Sequence, residues 1–274
     1  MGVAKAIRQR INIPVVCSVQ DEEVWIDSMK GEYLQEAWQG IAENIGYIDK
    51  FVTTSEFYKN TITTRIPQIA NVEVVHPGVD ASKYVSDQYP VDPVIGFFYR
   101  MNRENGLGIL AEAFVKLKKR DTIKNIKLKV AGGYTAKDRR FLNEVKRILK
   151  PYMDDVDLCN AYDPERHADF YKQITIISVP LTFDESVGLY LCEAFAAGRP
   201  AVEPATGSFP EITGEAGVVY SPNNSDALAD AIEKLLTDHA FFKHCCEKAL
   251  EMSKTRYSDQ VMAARLVKVY KFKV

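Results

Sequence analysis

Short runs rich in Val and Ile alternate with amphipathic stretches along almost the whole chain, and this alternation constrains the fold more than any other feature. The strand-like runs are Val15–Val19, Phe51–Thr53, Val72–His76, Val94–Tyr99, Ile126–Ala131, Val156–Cys159, Ile174–Val179, Ala201–Glu203 and Gly217–Tyr220. Several are near-continuous in Val and Ile, the pattern of strands covered on both faces. Between them, Tyr33–Ile45, Ser55–Thr63, Leu107–Lys118, Ala136–Leu149, Glu165–Lys172, Ser186–Ala197 and Ser225–Thr237 carry helical periodicity. Two more such stretches, His239–Ser253 and Asp259–Val269, close the chain. Strands alternating with helices of this length predict βαβ units and parallel sheets, an α/β protein.

The stretch Asp80–Pro93, DASKYVSDQYPVDP, is polar, carries two prolines and separates two strand-like runs, which marks it as a boundary. Six strands follow it and three precede it. At 274 residues, 46% hydrophobic and 26% charged, the chain has the composition of a folded globular protein rather than a disordered or collagen-like one. Lys and Arg total 35 against 37 Asp and Glu, so no basic excess points to nucleic acid. The longest apolar runs, such as Ile13–Cys17 and Val94–Tyr99, fall far short of the ~20 residues that span a bilayer. The opening MGVAKAIRQRINIPVV has no long apolar core and no small-residue cleavage site, so no signal peptide is read. Five cysteines, two of them adjacent (Cys245 and Cys246), read as reduced thiols serving as small hydrophobes. A cytoplasmic location is the expectation, with the basic end Lys268–Val274 a weak candidate for membrane contact.

Chemistry concentrates in Val179–Ile212, VPLTFDESVGLYLCEAFAAGRPAVEPATGSFPEI. A buried strand ends at Pro180, a polar loop follows, and Glu185-Ser186-Val187-Gly188 opens an apolar helix. Ser186 or Glu185 is expected to cap that helix, and Gly188 to let its first turn approach a ligand closely. Free backbone N–H groups there, at the carboxyl end of parallel strands, predict an anion site. Glu185 and Glu193 are eight residues apart, about 12 Å along a continuous helix. If Glu185 lies in the preceding loop, both reach one crevice.

This segment resembles the Glu-x7-Glu signature of the retaining glycosyltransferases of GT-B fold, family 4, also called group 1. The likeness runs through Glu185, Gly188, Leu189, Glu193, Ala194, Ala197, Gly198, Pro200, Gly207, Pro210 and Glu211. It implies two Rossmann-like domains and a nucleoside diphosphate sugar bound in the second. In that reading Glu193 accepts the ribose hydroxyls, Glu185 faces the transferred sugar, and the N–H groups of Gly188 and Leu189 hold the diphosphate. Upstream, Gly96–Gly106, GFFYRMNRENG, resembles the family's strand, Arg and Glu-Lys-Gly turn. Arg100 falls on the diphosphate-binding Arg, where a fixed cation stabilises charge growing on the leaving phosphate. Asn105 occupies the position of the turn's Lys, and Arg103 is the nearby cation that would have to replace it. Val130–Gly133 resembles the family's third strand-to-helix junction, Cys159–Asp163 the segment passing the nucleobase, and Val74–Asp80 the end of the first domain. His76 reads as a packed strand-end residue. Asp155-Val156-Asp157 precedes its strand and reads as a solvated turn rather than a metal site.

The resemblance divides the chain into a partial first domain over 1–80, a linker over 81–93, a complete nucleotide-sugar domain over 94–256 and a helix over 257–274 that crosses back. The first domain matches only from IPVVCSVQ onward, which implies a shortened chain, a misplaced start or a natural remnant completed by another chain. An open strand edge there invites a dimer or a partner chain. Where the family often carries a His, this chain reads Gln20-Asp21-Glu22-Glu23, taken as ordinary loop residues with Asp21 or Glu22 as acceptor contacts in the other reading. The function implied is transfer of a sugar from a nucleoside diphosphate sugar to an unknown acceptor, glycan or lipid-linked, with retention of configuration and no metal. Assembly of cell-surface polysaccharide is the family's common setting. The main alternative is a nucleotide-sugar-binding protein without catalysis. An epimerase or phosphorylase of the same fold would need acid/base groups or a cofactor lysine that the sequence does not supply, and a purely structural domain leaves the ordered motif unexplained.

Overall fold

The computed structural model describes residues 1–11, 13–85, 89–159 and 167–271. The first half runs α1 (Ala4–Ile11), β1 (Val16–Ser18), α2 (Glu22–Asp27), α3 (Glu32–Ile45), β2 (Lys50–Thr53), α4 (Glu56–Arg65) and β3 (Val72–Val74). The second runs β4 (Val94–Phe98), α5 (Leu107–Arg120), β5 (Lys127–Ala131), α6 (Arg139–Leu149), β6 (Val156–Leu158), α7 (His167–Lys172), β7 (Ile176–Ile177), α8 (Leu189–Ala196), β8 (Ala201–Pro204), α9 (Phe209–Thr213), β9 (Gly217–Tyr220), α10 (Ser225–Thr237) and α11 (His239–Thr255). A last helix, α12 (Asp259–Tyr270), follows.

Among the described residues every strand pairing is parallel, in a three-stranded sheet of order β1-β2-β3 and a six-stranded sheet of order β6-β5-β4-β7-β8-β9. Parallel strands need crossover helices, and covering by those helices matches the apolar central strands β4 and β7, while Lys127 and Lys129 of β5 and Asp157 of β6 bring charge to the outer strands on one side. The helix α5 buries Leu107, Leu110, Ala111, Ala113, Phe114 and Leu117, a stripe at helical spacing. Burying one of its Leu or Phe side chains contributes roughly 1.5–3 kcal/mol. In α6, Phe141, Val145 and Leu149 recur every four residues and are buried, while Arg139, Arg140, Lys146 and Arg147 take the other side. The smaller sheet has a core of its own around Val19, Ile45, Phe51, Tyr58 and Ile62.

The helix α12 belongs physically to the first half: Val269, Met262 and Leu266 pack on Val52 and Val75. The chain therefore passes between the halves twice. The two passages are bonded to each other where Val79 N donates to Tyr257 O (2.9 Å) and Asp259 N to Val79 O (3.1 Å). A Cβ at Gly78 would lie 2.3 Å from Ser258 O, so only glycine permits this approach.

Three local expectations are corrected. The helix expected from Ser186 starts at Leu189, with Gly188 (φ 59°) as its N-cap, so neither Ser186 nor Glu185 caps it. The run Ile174–Val179 narrows to β7, because its ladder with β8 is a single pair, Ile177 with Ala201, beyond which side chains take over: Ser178 Oγ donates to Val202 O, and Val179 N to the Glu203 carboxyl. Glu22 and Glu23, read as loop residues, open α2, where acidic side chains favour the helix N-terminus. Glu165, the expected start of α7, and Asn160–Asp163 of the nucleobase-facing segment lie outside the described residues. Among the described residues no helix is long and apolar enough to cross a membrane.

Candidate active site

The order of the larger sheet has a reversal. From β4 the chain goes outward to β5 and β6, then returns to β7 on the other side of β4 and continues to β8 and β9. Such a reversal leaves a crevice at the carboxyl ends of the two strands that flank it. A cavity of about 490 Å³ lies there, lined by Phe98, Tyr99 and Arg100 at the end of β4, Gly132 and Gly133 after β5, His167 of α7, and Glu185, Val187 to Tyr190 and Glu193 around the start of α8. Gln20 of the first half closes one side. Gly132 is required for contact of two loops, since a Cβ there would lie 2.0 Å from Tyr99 O.

Glu185 is 7% exposed and lies in the loop before α8. Its Oε1 accepts the amides of Ser186 and Val187, each at 3.0 Å, and its Oε2 accepts the Tyr99 hydroxyl at 3.1 Å. These bonds explain the late helix start: the carboxylate captures two amides that a helix beginning at Ser186 would have presented to solvent. The next amides, those of Gly188, Leu189 and Tyr190, have no hydrogen-bond partner among the described residues and lie at the positive end of α8.

Glu193, one turn into α8, is also 7% exposed. Its Oε1 accepts Tyr84 OH at 3.2 Å; its Oε2 accepts Tyr171 OH at 2.5 Å and His167 Nε2 at 2.9 Å. A carboxylate offers about four acceptor positions. Glu185 and Glu193 each have three filled among the described residues and one open, Glu185 on Oε2 and Glu193 on Oε1. Each carboxylate can therefore accept one further hydroxyl without giving up a bond.

Arg100 lines the cavity with its side chain half exposed, and its Nη2 contacts Asp138 Oδ2 (3.2 Å) and Thr135 Oγ1 (3.4 Å). Nη1 and Nε have no recorded partner among the described residues. Arg103 points elsewhere: it is paired with Glu144 and its guanidinium lies 5.0 Å from the Phe141 ring centre, outside the cavity lining. Asn105 is also outside the lining; its Nδ2 donates to Arg100 O (2.7 Å) and its N–H to Asn102 Oδ1 (2.9 Å), so it shapes the turn that carries Arg100. Of the residues singled out from the sequence, Arg100, Glu185, Gly188, Leu189 and Glu193 converge on one cavity, while Arg103 and Asn105 do not.

Other groups were not singled out. Tyr84, His167 and Tyr171 hold Glu193; His167 stacks on Tyr171 at 5.7 Å and lies 4.7 Å from Phe98. The spacing of His167 and Tyr171, one helical turn apart ahead of a strand, is the only sequence signal for that pair. Glu203, within the apolar strand β8, is fully buried, and burial pushes its carboxyl well above the usual range. A lone Glu inside AVEP was a visible signal for it. Asp21 faces the loop from the first half and accepts Ser186 Oγ at 2.7 Å. Burial pushes its carboxyl up to about 6, against the lowering effect of that bond and with help from the Glu185 charge. Glu22, by contrast, is tied to Gln20 N and to Tyr58 OH.

Residues 92–238 match the family described as "Glycosyl transferases group 1". The D-inositol 3-phosphate glycosyltransferase of Corynebacterium glutamicum is 28% identical over 212 residues, which cover 73% of this chain and 49% of that protein. The chain thus spans about half the length of the curated relatives it matches. Among solved structures, Anabaena HepE in complex with UDP superposes with a TM-score of 0.82 at 15% identity, covering 98% of this chain and 75% of that one. The sucrose-phosphate synthase of Thermosynechococcus elongatus gives 0.78 at 21%, covering 98% and 70%. The fold is GT-B, with its first domain represented only in part. The family match takes in more than half of the residues, from just before β4 to the end of α10, and every lining residue of the cavity except Gln20 lies within it: the chain belongs to the group 1 glycosyltransferases.

Proposed function

We propose that this chain binds a nucleoside diphosphate sugar in the cavity after β4 and β7 and transfers the sugar, with retention of configuration, to an acceptor hydroxyl. The observation that carries the reading is the convergence of Arg100, the open amides of Gly188 to Tyr190, and two carboxylates with one vacant acceptor position each. A diphosphate is held by a cation and helix-terminal N–H groups. A sugar and a ribose are recognised through hydroxyl hydrogens that carboxylates accept. In this assignment Glu193 takes one ribose hydroxyl and Glu185 one hydroxyl of the transferred sugar. The UDP named in the complex with Anabaena HepE makes UDP-sugars the first candidates.

Cleavage of the glycosidic bond puts negative charge on the departing phosphate. Arg100 and the α8 amides are aimed where that charge grows, so their contribution is larger in the transition state than in the ground state. The acceptor attacks from the side on which the phosphate leaves, and the phosphate oxygen takes the acceptor proton. The acceptor, a glycan or a lipid-linked saccharide, enters from the side of Gln20 and Asp21.

The test is calorimetric titration with UDP, GDP, ADP and UDP-glucose. Binding of one nucleotide at 100 times its Kd stabilises the fold by about 2.7 kcal/mol, which a thermal shift reads independently. Glu193→Ala should weaken nucleotide binding at least tenfold, and unchanged affinity would refute the assignment. A second reading, binding without transfer, is favoured by the orientation of Arg103 toward Glu144, which leaves Arg100 the only Lys or Arg among the described lining residues. Donor binding without sugar release or transfer in a turnover assay would select it.

A further inference from the structure

The two halves touch at the very loop that carries Glu185. Thr54 Oγ1 and Ser55 Oγ, at the end of β2, both donate to Ser186 O, at 3.1 and 2.8 Å. Ser186 Oγ returns a bond to Asp21. Glu211 of α9 accepts the amides of Glu56 (3.0 Å) and Phe57 (3.1 Å), the first two of α4. Helix-initial amides have no partner within their own helix. Here a carboxylate from the opposite half supplies it, where its charge also suits the helix dipole.

Glu211 is itself held. Arg256 Nη2 lies 3.4 Å from its Oε1 and 2.9 Å from His76 Nε2, and His76 Nδ1 lies 3.0 Å from Thr54 O. A carbonyl only accepts and a guanidinium only donates, so His76 carries its proton on Nδ1 and is neutral. Burial and the adjacent Arg256 both press its pKa down, in keeping with that tautomer. The contacts therefore form one network from Arg256 through His76 and Glu211 to α4 and Thr54.

The network ends on a peptide with a second role. The C=O of the Ser186–Val187 peptide is the acceptor for both first-half hydroxyls, while the N–H of the same peptide, that of Val187, is one of the two that fix Glu185 Oε1. We infer that Thr54, Ser55 and Glu211 are positioning residues: docking of the first half sets the orientation of the Glu185 carboxylate, so recognition of the sugar is conditional on closure of the cleft. The sugar part of this inference rests on the function proposed above; the clamping of the loop does not.

Two variants test it in the full chain. Thr54→Val keeps the shape and removes one hydroxyl donor without touching the α4 cap, which is Ser55. Glu211→Gln keeps an acceptor and removes the charge. Hydrogen exchange without ligand, read on peptides covering residues 184–190, should be about tenfold faster in the double variant at Ser186 and Val187, with β4 and β5 unchanged. Thr54→Ser, which restores the hydroxyl, should return the wild-type rate. Unchanged exchange in this loop would overturn the inference. Calorimetry then compares UDP with UDP-glucose. UDP affinity should stay within about twofold while the extra affinity contributed by the glucose falls about fivefold or more. Equal losses for both ligands, or none, would reduce these residues to general support of the fold. Should the wild-type chain bind neither ligand, the proposed donor falls and the exchange data alone decide the clamp; should the double variant not fold, Thr54→Val alone carries both measurements.

Discussion

Gly207 offers the sharpest test of how the donor loop is built. It lies between β8 and α9 with φ +57°, and a Cβ there would sit 2.5 Å from Glu185 N and 2.6 Å from Glu185 O. Ordinary contact between such atoms needs about 3.5 Å, so Gly207→Ala must displace one segment by about 1 Å. The obstructing atoms are backbone, and no rotamer change relieves them. Left-handed backbone costs a non-glycine residue roughly 1–2 kcal/mol. Overpacking adds roughly 1–3 kcal/mol, and the smaller entropy of an unfolded alanine offsets about 0.4–1 kcal/mol. The expected net loss is about 2–4 kcal/mol, or about 4–16 °C in melting temperature for a chain of this size. The displaced atoms include the peptide bearing Glu185, and misplacing a reacting group by about 1 Å can lower turnover about a hundredfold. Gly198→Ala is the control. Its φ is +69°, but the neighbours are Leu250 side-chain atoms and the Tyr89 hydroxyl at 3.3 Å or more, which can yield. It should lose stability and keep sugar binding. A folded Gly207→Ala that binds UDP-glucose as tightly as wild type, measured by calorimetry beside this control, would refute the reasoning.

Arg100→Ala should weaken UDP binding about tenfold, by loss of a charge-assisted contact, whereas Arg103→Ala should change it less than twofold; the reverse order by titration would move the phosphate site. Asp21 is held neutral by burial up to about pH 6. An acid whose folded pKa is raised contributes stability below its unfolded pKa, near 3.8, and loses it as pH rises through about 6. Asp21→Asn, which stays neutral, should therefore gain stability relative to wild type as pH rises from 4 to 7 in chemical denaturation, and a constant difference would contradict the burial argument.

Much of the architecture could be read from residue pattern because the determinants are local. Val, Ile and Phe runs locate the nine strands among the described residues, and Ser225–Thr237 begins where expected because Asn224, its N-cap, accepts the amides of Asp226 and Ala227. Where the pattern misled, a distant group intervened. The start of α8 is delayed by the Glu185 carboxylate, and β7 is cut short by Ser178 and the Glu203 carboxyl. The helix α2 gave no amphipathic signal: Val24 is 57% and Trp25 74% exposed. The site divides the same way. Glu185, Gly188 and Glu193 belong to one segment and were visible together. Tyr84 and the α7 pair His167 and Tyr171 come from two distant segments and meet at Glu193. Arg103 shows the limit of proximity in sequence: three residues from Arg100, it finds a nearer partner in Glu144.

The double passage of the chain at Val79 and Ser258 governs how the cleft can open. One flexible tether would let the halves swivel about any axis. Two tethers bonded side by side, with a glycine at Gly78 pressed against the neighbouring carbonyl, resist twisting and sliding and leave bending about a single line as the soft motion. Opening is then a pin-hinge movement, and each closure returns Ser186 to the same hydroxyls.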